Sequence, residues 1–365
     1  MKEDIYRKLQ EHLNQHPMGF PATQSGVEIK LLQKLFEENE AHIALMLIPE
    51  PQTVNEISMR FNIDPANLEE KLDTMATKGL IMRKRKGDAV FFYLIPMVVG
   101  FYEFQIGRTD RGFFDLFNTY VMEGLGAELF GSETSYIRVV PVEGEIQDKP
   151  STVLSHEAVS KIIGESEKVA VTDCICRTKA KTLGNGCNHT VRNCICLSPL
   201  AEYYMENGYP GRYVSKVDAL AIIDEAEKEG LVHLSQNTAT GNEFICNCCK
   251  CCCSFLNGIN AFKLHDRVVR STYFSEVDDT LCTGCEDCIE RCPFNAISMT
   301  DGTITIDHQF CMGCGLCISA CSTGALSMVK KPDEKIVNPP SDLENMYERI
   351  GREKGRSMKV VLGSD

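Results

Sequence analysis

Apolar residues recur every three or four positions through the first part of the chain. Ile5, Leu9 and Leu13 line one helical face, and Ile29, Leu32, Leu35 and Phe36 line another, with the Pro/Gly loop HPMGFPATQSG between them. Thr53 with Glu56 spells a capping box ahead of Val54, Ile57 and Phe61. Asp64-Pro65 reads as the N-cap and first position of a further helix, which buries Leu68, Leu72 and Met75 and stops at Gly79. The period then changes: LIMRKR, a KGD turn and AVFFYLI predict a hairpin. Residues 96–135 return to helical spacing with many Phe and Tyr, a pattern that suits a core better than a cofactor box. YIRVVPVEGEI predicts a strand, and Pro141 to Pro150 a boundary.

Beyond the boundary, KVAVTDCICR predicts a buried strand ending in Cys174 and Cys176. Ser198-Pro199 opens a helix that ends near Gly208, and Ser215 with Asp218 caps another that stops at Gly230. EFICN is strand-like. Asp301-Gly302, set between Ile297/Met299 and Ile304/Ile306, is a two-residue hairpin signature. The chain closes with ALSMVKK, the Pro-rich linker KPDEKIVNPPS and a helix from Ser341/Glu344. The basic residues Arg349, Arg352, Lys354 and Arg356 read as a solvated helix end.

Composition narrows the function classes. At 365 residues the chain is long enough for two or three domains. A net charge of −13 argues against nucleic acid as the main partner and suits docking to a basic patch. MKEDIYRKLQEHLNQ has no apolar h-region, and the most apolar run, Ala89 to Gly100, is too short to span a bilayer, so no membrane span and a cytoplasmic location are expected. Nineteen cysteines, an odd number in a chain this large, point to thiolates for metal rather than a disulfide framework.

Eight of them stand as Cys-x2-Cys-x2-Cys-x3-Cys written twice: Cys282, Cys285, Cys288 and Cys292, then Cys311, Cys314, Cys317 and Cys321. Short Cys-x2-Cys loops present thiolates on one side, and Gly284, Gly313 and Gly315 permit the positive-φ turns this requires. The repeat resembles the bacterial ferredoxin with two [4Fe–4S] clusters. That resemblance implies that the fourth cysteine of each run crosses over, so Cys282, Cys285, Cys288 and Cys321 hold one cluster and Cys311, Cys314, Cys317 and Cys292 the other. Two structural zinc sites are the alternative. Pro293 follows Cys292, but Ser322 stands where that family usually repeats the proline. Its hydroxyl and restored N–H near the first cluster favour the reduced state and a raised potential.

Eleven further cysteines precede this repeat. Cys174, Cys176, Cys187, Cys194, Cys246, Cys248, Cys249, Cys251, Cys252 and Cys253 are candidates for an additional site, preferably a third [4Fe–4S] cluster, with zinc as the alternative and the ligand subset open. His189 could ligate, though a lone His is more often a local hydrogen-bonder, and Arg177 could offset cluster charge. Residues 29–95 resemble the winged helix of MarR- and ArsR-type regulators. The helix that would enter the major groove, however, carries Glu69, Glu70 and Asp73, so scaffolding is favoured over DNA reading despite Arg83, Lys84, Arg85 and Lys86. The order winged-helix-like start, CICR, NCCKCCC, ferredoxin repeat is similar to a family of 4Fe–4S proteins from anaerobic bacteria.

The expected fold class is α+β multidomain. It comprises a winged-helix-like domain (1–95), a helical connector (96–140), a mixed α/β Cys-rich middle (141–270), a two-[4Fe–4S] ferredoxin domain (271–332) and a linker with C-terminal helix (333–365). The expected function is single-electron relay to or from a redox protein partner, in an anaerobic setting. A redox-sensing transcription regulator and an oxidoreductase with a substrate-binding third cluster compete with it. No Walker A run or complete G-x-G-x-x-G supports nucleotide binding.

Overall fold

The structure is a computed structural model and describes residues 2–146 and 154–357. The expected boundary at Pro141 to Pro150 lies partly outside the described residues. Packing divides the chain into two units, one of Met1–Thr134, Glu202–Pro210 and Tyr347–Asp365, the other of Ser135–Ala201 and Gly211–Met346.

The first unit begins with helices Lys2–Leu13 and Val27–Leu35, whose apolar stripes largely follow the periodicity: Ile5, Leu9, Leu13, Ile29 and Leu32 are buried, Leu35 is half-buried, and Leu31, outside the marked set, is buried too. The Thr53/Glu56 capping box forms reciprocally on helix Val54–Phe61, and Asp64 caps Pro65–Thr77 through Asn67 N–H. Gly79, at φ 79°, ends that helix in the left-handed region, where a side chain would be strained. A small antiparallel sheet follows in the order β1 (Gln52–Thr53), β3 (Ala89–Tyr93), β2 (Met82–Lys86). The aromatic stretch is core, with Phe101, Tyr102, Phe104, Phe113, Phe114, Phe117 and Tyr120 all buried, and Tyr102 stacked on Phe117 at 3.8 Å.

Of the C-terminal basic residues, Arg352 is exposed as expected, whereas Lys354 and Arg356 differ. Lys354 bonds Glu128 Oε1 at 2.8 Å, and Arg356 grips the same carboxylate, with all three side chains largely buried. A carboxylate contributed from more than 200 residues away turns a supposedly solvated helix end into a packed one.

The second unit is built on a six-stranded antiparallel sheet. Its strands are β4 (Ile137–Val140), β5 (Val169–Asp173), β6 (Arg192–Leu197), β7 (Gly211–Val214), β8 (Val232–Gln236) and β9 (Phe244–Cys248), in the order β4-β8-β9-β6-β5-β7. One face packs Val140, Val169, Val171, Ile195, Leu197 and Ile245 against helices Val159–Glu165 and Lys216–Lys228. Because side chains alternate along a strand, Cys194 and Cys196 on β6, and Cys246 and Cys248 on β9, lie on the opposite face. Buried beside the sheet, Arg138 pairs with Glu157 at 3.1 Å, both fully inaccessible, and Glu157 also accepts Thr272 N–H at 2.8 Å.

The remaining strands hold the ferredoxin-like repeat. β10 (Tyr273–Val277) pairs with β13 (Leu326–Lys330), and β11 (Ile297–Thr300) forms a hairpin with β12 (Thr303–Ile306). Asp301 and Gly302 both take positive φ, as a two-residue hairpin turn requires.

Candidate metal centres

The duplicated run folds so that the last cysteine of each half leaves its own loop. Helix Asp287–Arg291 carries Cys288 and delivers Cys292 beyond its C-terminus, while Leu316–Ser319 carries Cys317 and delivers Cys321. Two hollows result. One, of about 340 Å³, is lined by Cys282, Cys285, Cys288 and Cys321 with Thr323, Glu286 and Asp287. The other, of about 310 Å³, is lined by Cys292, Cys311, Cys314 and Cys317 with Ser275. The hollows differ in depth: in the first Cys285 is exposed, Cys282 and Cys321 are half-buried and Cys288 is buried, whereas in the second Cys292, Cys311 and Cys317 are buried and Cys314 is half-buried.

Gly313 is indispensable to the second loop. At φ 67°, a Cβ there would stand 2.1 Å from the Tyr273 carbonyl oxygen. Gly284, its counterpart in the first loop, meets only the flexible Met299 side chain at 3.6 Å.

Hydrogen-bond donors reach the sulfurs. Ser275 Oγ lies 3.3 Å from Cys317 Sγ, Ala296 N–H donates to Cys292 Sγ at 3.3 Å, and Thr323 Oγ1 lies 3.5 Å from Cys321 Sγ. The hydroxyl at Cys321 is therefore that of Thr323, one residue beyond the exposed Ser322. Burial pushes the Cys317 thiol up to about 12, against the opposing hydroxyl of Ser275. Burial also raises Cys321, but the Thr323 hydroxyl and the N–H groups of Leu326, Ala325 and Thr323 outweigh it and hold that thiol below its usual range.

The ten candidates in the middle region separate into two sets. Six influence one another's protonation in a closed ring, in the order Cys174, Cys176, Cys253, Cys248, Cys246, Cys194 and back to Cys174. β6 and β9 supply Cys194, Cys246 and Cys248. Cys174 and Cys253 are the N-caps of helices Ile175–Leu183 and Ser254–Phe262, so Cys174 and Cys176 follow the strand end rather than belonging to it. Protons cannot be shared evenly around such a ring. Cys176 is held well below the thiol range by Cys174 and Cys253, with Lys179 and the Ser254 N–H assisting, and Cys246 is pulled to about 7 by Cys194 and Cys248. Cys174 and Cys248, their neighbours in the ring, are pushed up. A multivalent cation would replace the shared protons.

The other four, Cys187, Cys249, Cys251 and Cys252, have all their Sγ atoms within 4.8 Å of one another. Cys196 joins neither set: burial first, then Glu243, raises its thiol to about 12. His189 pairs with Glu229 at 3.4 Å instead of joining the sulfurs. Arg177, 2% exposed, lies between the sets. It donates to Asn247 O at 2.9 Å, reaches Cys249 Sγ at 3.8 Å and also bonds Asn193 Oδ1. Burial alone would lower its pKa, but Cys174, Cys194, Cys249 and Cys248 reverse that and hold it above the usual value.

Residues 275–322 match the family described as 4Fe-4S dicluster domain. The match spans both cysteine runs, and with the Cys-rich middle it marks the chain as an iron–sulfur, metal-binding protein. No curated protein matches the chain. Among the described residues, no helix is long and apolar enough to cross a membrane.

Proposed function

We propose that this protein relays single electrons through two [4Fe–4S] clusters, one on Cys282, Cys285, Cys288 and Cys321, the other on Cys292, Cys311, Cys314 and Cys317. A third iron–sulfur centre is assigned to the six-thiol ring. The observation that carries this reading is the pair of hollows, each lined by three cysteines of one run and the last of the other. When bound, the clusters supply the one-electron chemistry.

The protein's part is placement and tuning. Ser275, Ala296 N–H and Thr323 donate toward thiolates and favour the more negative, reduced state. The exposed hollow around Cys285 is lined by Glu286 and Asp287, and Asp278 and Asp279, just ahead of Cys282 in the chain, are exposed, an acidic surface suited to a redox partner with a basic patch. The stretch leading into the buried hollow meets the middle region: Lys250 Nζ, from the turn that joins the middle cysteines, donates to Glu290 O at 3.1 Å, and Asn260 donates to Pro293 O at 2.8 Å. A path from partner to surface cluster, buried cluster and ring follows.

In the first unit, the capped helix pair and three-stranded sheet support a winged-helix-like scaffold. DNA reading is disfavoured because Arg83 is already paired with Asp73 at 2.8 Å, and Arg85 with Glu206 at 3.0 Å. A gel shift at low salt in either redox state would reverse that judgement. Thiolate-held clusters also call for a reducing, oxygen-poor compartment, the cytoplasm of an anaerobe being one.

Anaerobically purified protein is expected to carry about twelve irons per chain with equal sulfide. About eight would leave the ferredoxin pair and remove the third centre, and colourless, iron-poor material would sink the relay.

A further inference from the structure

The tetrad Cys187, Cys249, Cys251 and Cys252 is spaced unlike a cube site. Four thiolates on one tetrahedral zinc, each at about 2.3 Å, stand about 3.8 Å from one another. The structure gives 4.0 Å for Cys187–Cys249, 3.5 Å for Cys187–Cys252 and 3.8 Å for Cys251–Cys252, with every pair inside 4.8 Å. Thiolates on the four irons of a cube each bind a different metal and are necessarily splayed wider. Among the described residues, no other set of three or more Cys, His, Asp or Glu side chains is drawn so close. These separations are also far beyond an S–S bond of about 2.05 Å, so the sulfurs are neighbours, not disulfides.

We propose that Cys187, Cys249, Cys251 and Cys252 bind a single zinc ion, a site separate from every iron–sulfur centre. Four protein thiolates close the coordination sphere, which makes the ion structural rather than catalytic. The tetrathiolate complex carries excess negative charge. Arg177 answers it from 3.8 Å on the Cys249 side, and the backbone N–H of His189, not its ring, is directed at Cys187.

The ion's mechanical role follows from chain order. Cys249, Cys251 and Cys252 lie on a tight turn between β9 and helix Ser254–Phe262, while Cys187 comes from the loop after helix Ile175–Leu183. Zinc would therefore pin two loops more than 60 residues apart. Cys248 and Cys253, both in the six-thiol ring, flank that turn immediately on either side. The zinc sets the spacing of two ring sulfurs without touching the ring.

Zinc-edge X-ray absorption on anaerobically purified full-length protein, with zinc and iron counted in the same sample, tests this. About one zinc per chain with four sulfur neighbours near 2.3 Å is expected. Loss of an outer-sphere partner alone weakens metal sites 10–100-fold, so Cys187→Ser and Cys251→Ser should each lower zinc affinity by at least about tenfold in competition with a chelator. Iron and sulfide from the ferredoxin segment should be unchanged, and Cys282→Ser should leave zinc in place. Zinc absent from the wild-type protein, or zinc with nitrogen or oxygen neighbours, would each overturn the site. Because the absorption spectrum is taken on unmodified protein, a variant that fails to fold leaves the test intact. The iron count reports on the relay independently.

Discussion

Arg138 and Glu157 are buried together in the second unit, 3.1 Å apart, with Thr272 completing the carboxylate's partners. Removing one charge strands the other in a medium that cannot solvate it. Glu157→Ala is expected to destabilise the unit by about 3–5 kcal/mol in denaturant unfolding, with Arg138→Met/Glu157→Leu recovering much of the loss. His16 makes a pH-dependent contribution in the first unit. Burial first, then Arg356 and Lys354, lower its pKa from 6.5 to about 3, and its Nδ1 accepts Met18 N–H at 3.0 Å. The folded state keeps this ring neutral while the unfolded chain protonates it below about 6.5. Its stability is therefore complete above that pH and falls as pH drops toward 3. His16→Asn, which keeps an acceptor but does not titrate, should flatten the slope of unfolding free energy between pH 6.5 and 4 relative to wild type. Ser275→Ala removes the hydroxyl beside Cys317 and should make one cluster's midpoint more negative by a few tens of mV, since 59 mV equals about 1.4 kcal/mol for one electron.

At the scale of elements, the two Cys-x2-Cys loops share a spacing but not a tolerance. Gly313 is enclosed by Tyr273 O and Ser271 Oγ, so Gly313→Ala meets backbone as well as an unfavourable φ. Gly284 is nearly open. Gly313→Ala is expected to lose about half the ferredoxin-segment iron, whereas Gly284→Ala should retain it and lose only about 1–2 kcal/mol of stability. Iron content of the two variants side by side decides the matter, and equal loss would refute the asymmetry. The same contrast explains what could be read in advance. Capping boxes, the Asp64-Pro65 start and the Asp301-Gly302 turn are local chemistry, and each appears where its residues specify. β8 and β7 carried no comparable signal. VHLSQ and GRYV are short and mixed in polarity, and they become strands because neighbouring chains complete their hydrogen bonds.

For the whole molecule, charge and depth set the expected route of electrons. Glu286→Lys/Asp287→Lys, on the rim of the exposed hollow, should slow electron transfer to a basic c-type cytochrome about tenfold or more at low salt. Stopped-flow rates should converge with wild type near 1 M salt, where screening is confined to about 3 Å. A difference that persisted at high salt would mean the substitutions damaged the cluster instead of the encounter. The units' long-range ion pairs were hidden from the sequence for the same reason as the sheet order. Glu128 and Lys354 are 226 positions apart, and no local pattern couples them.

The primary structure by itself determined the two cysteine runs, the glycines that let them turn, and most helix starts, because each depends on residues within a few positions. Tertiary structure alone decided which of the remaining thiols meet. Cys187 and Cys194 are near neighbours in the chain, yet the sheet carries Cys194 to the ring while a loop carries Cys187 to the tetrad. Sulfur-to-sulfur distance, which determines whether a site suits one ion or a cube, is a property of packed backbone and not of spacing along it.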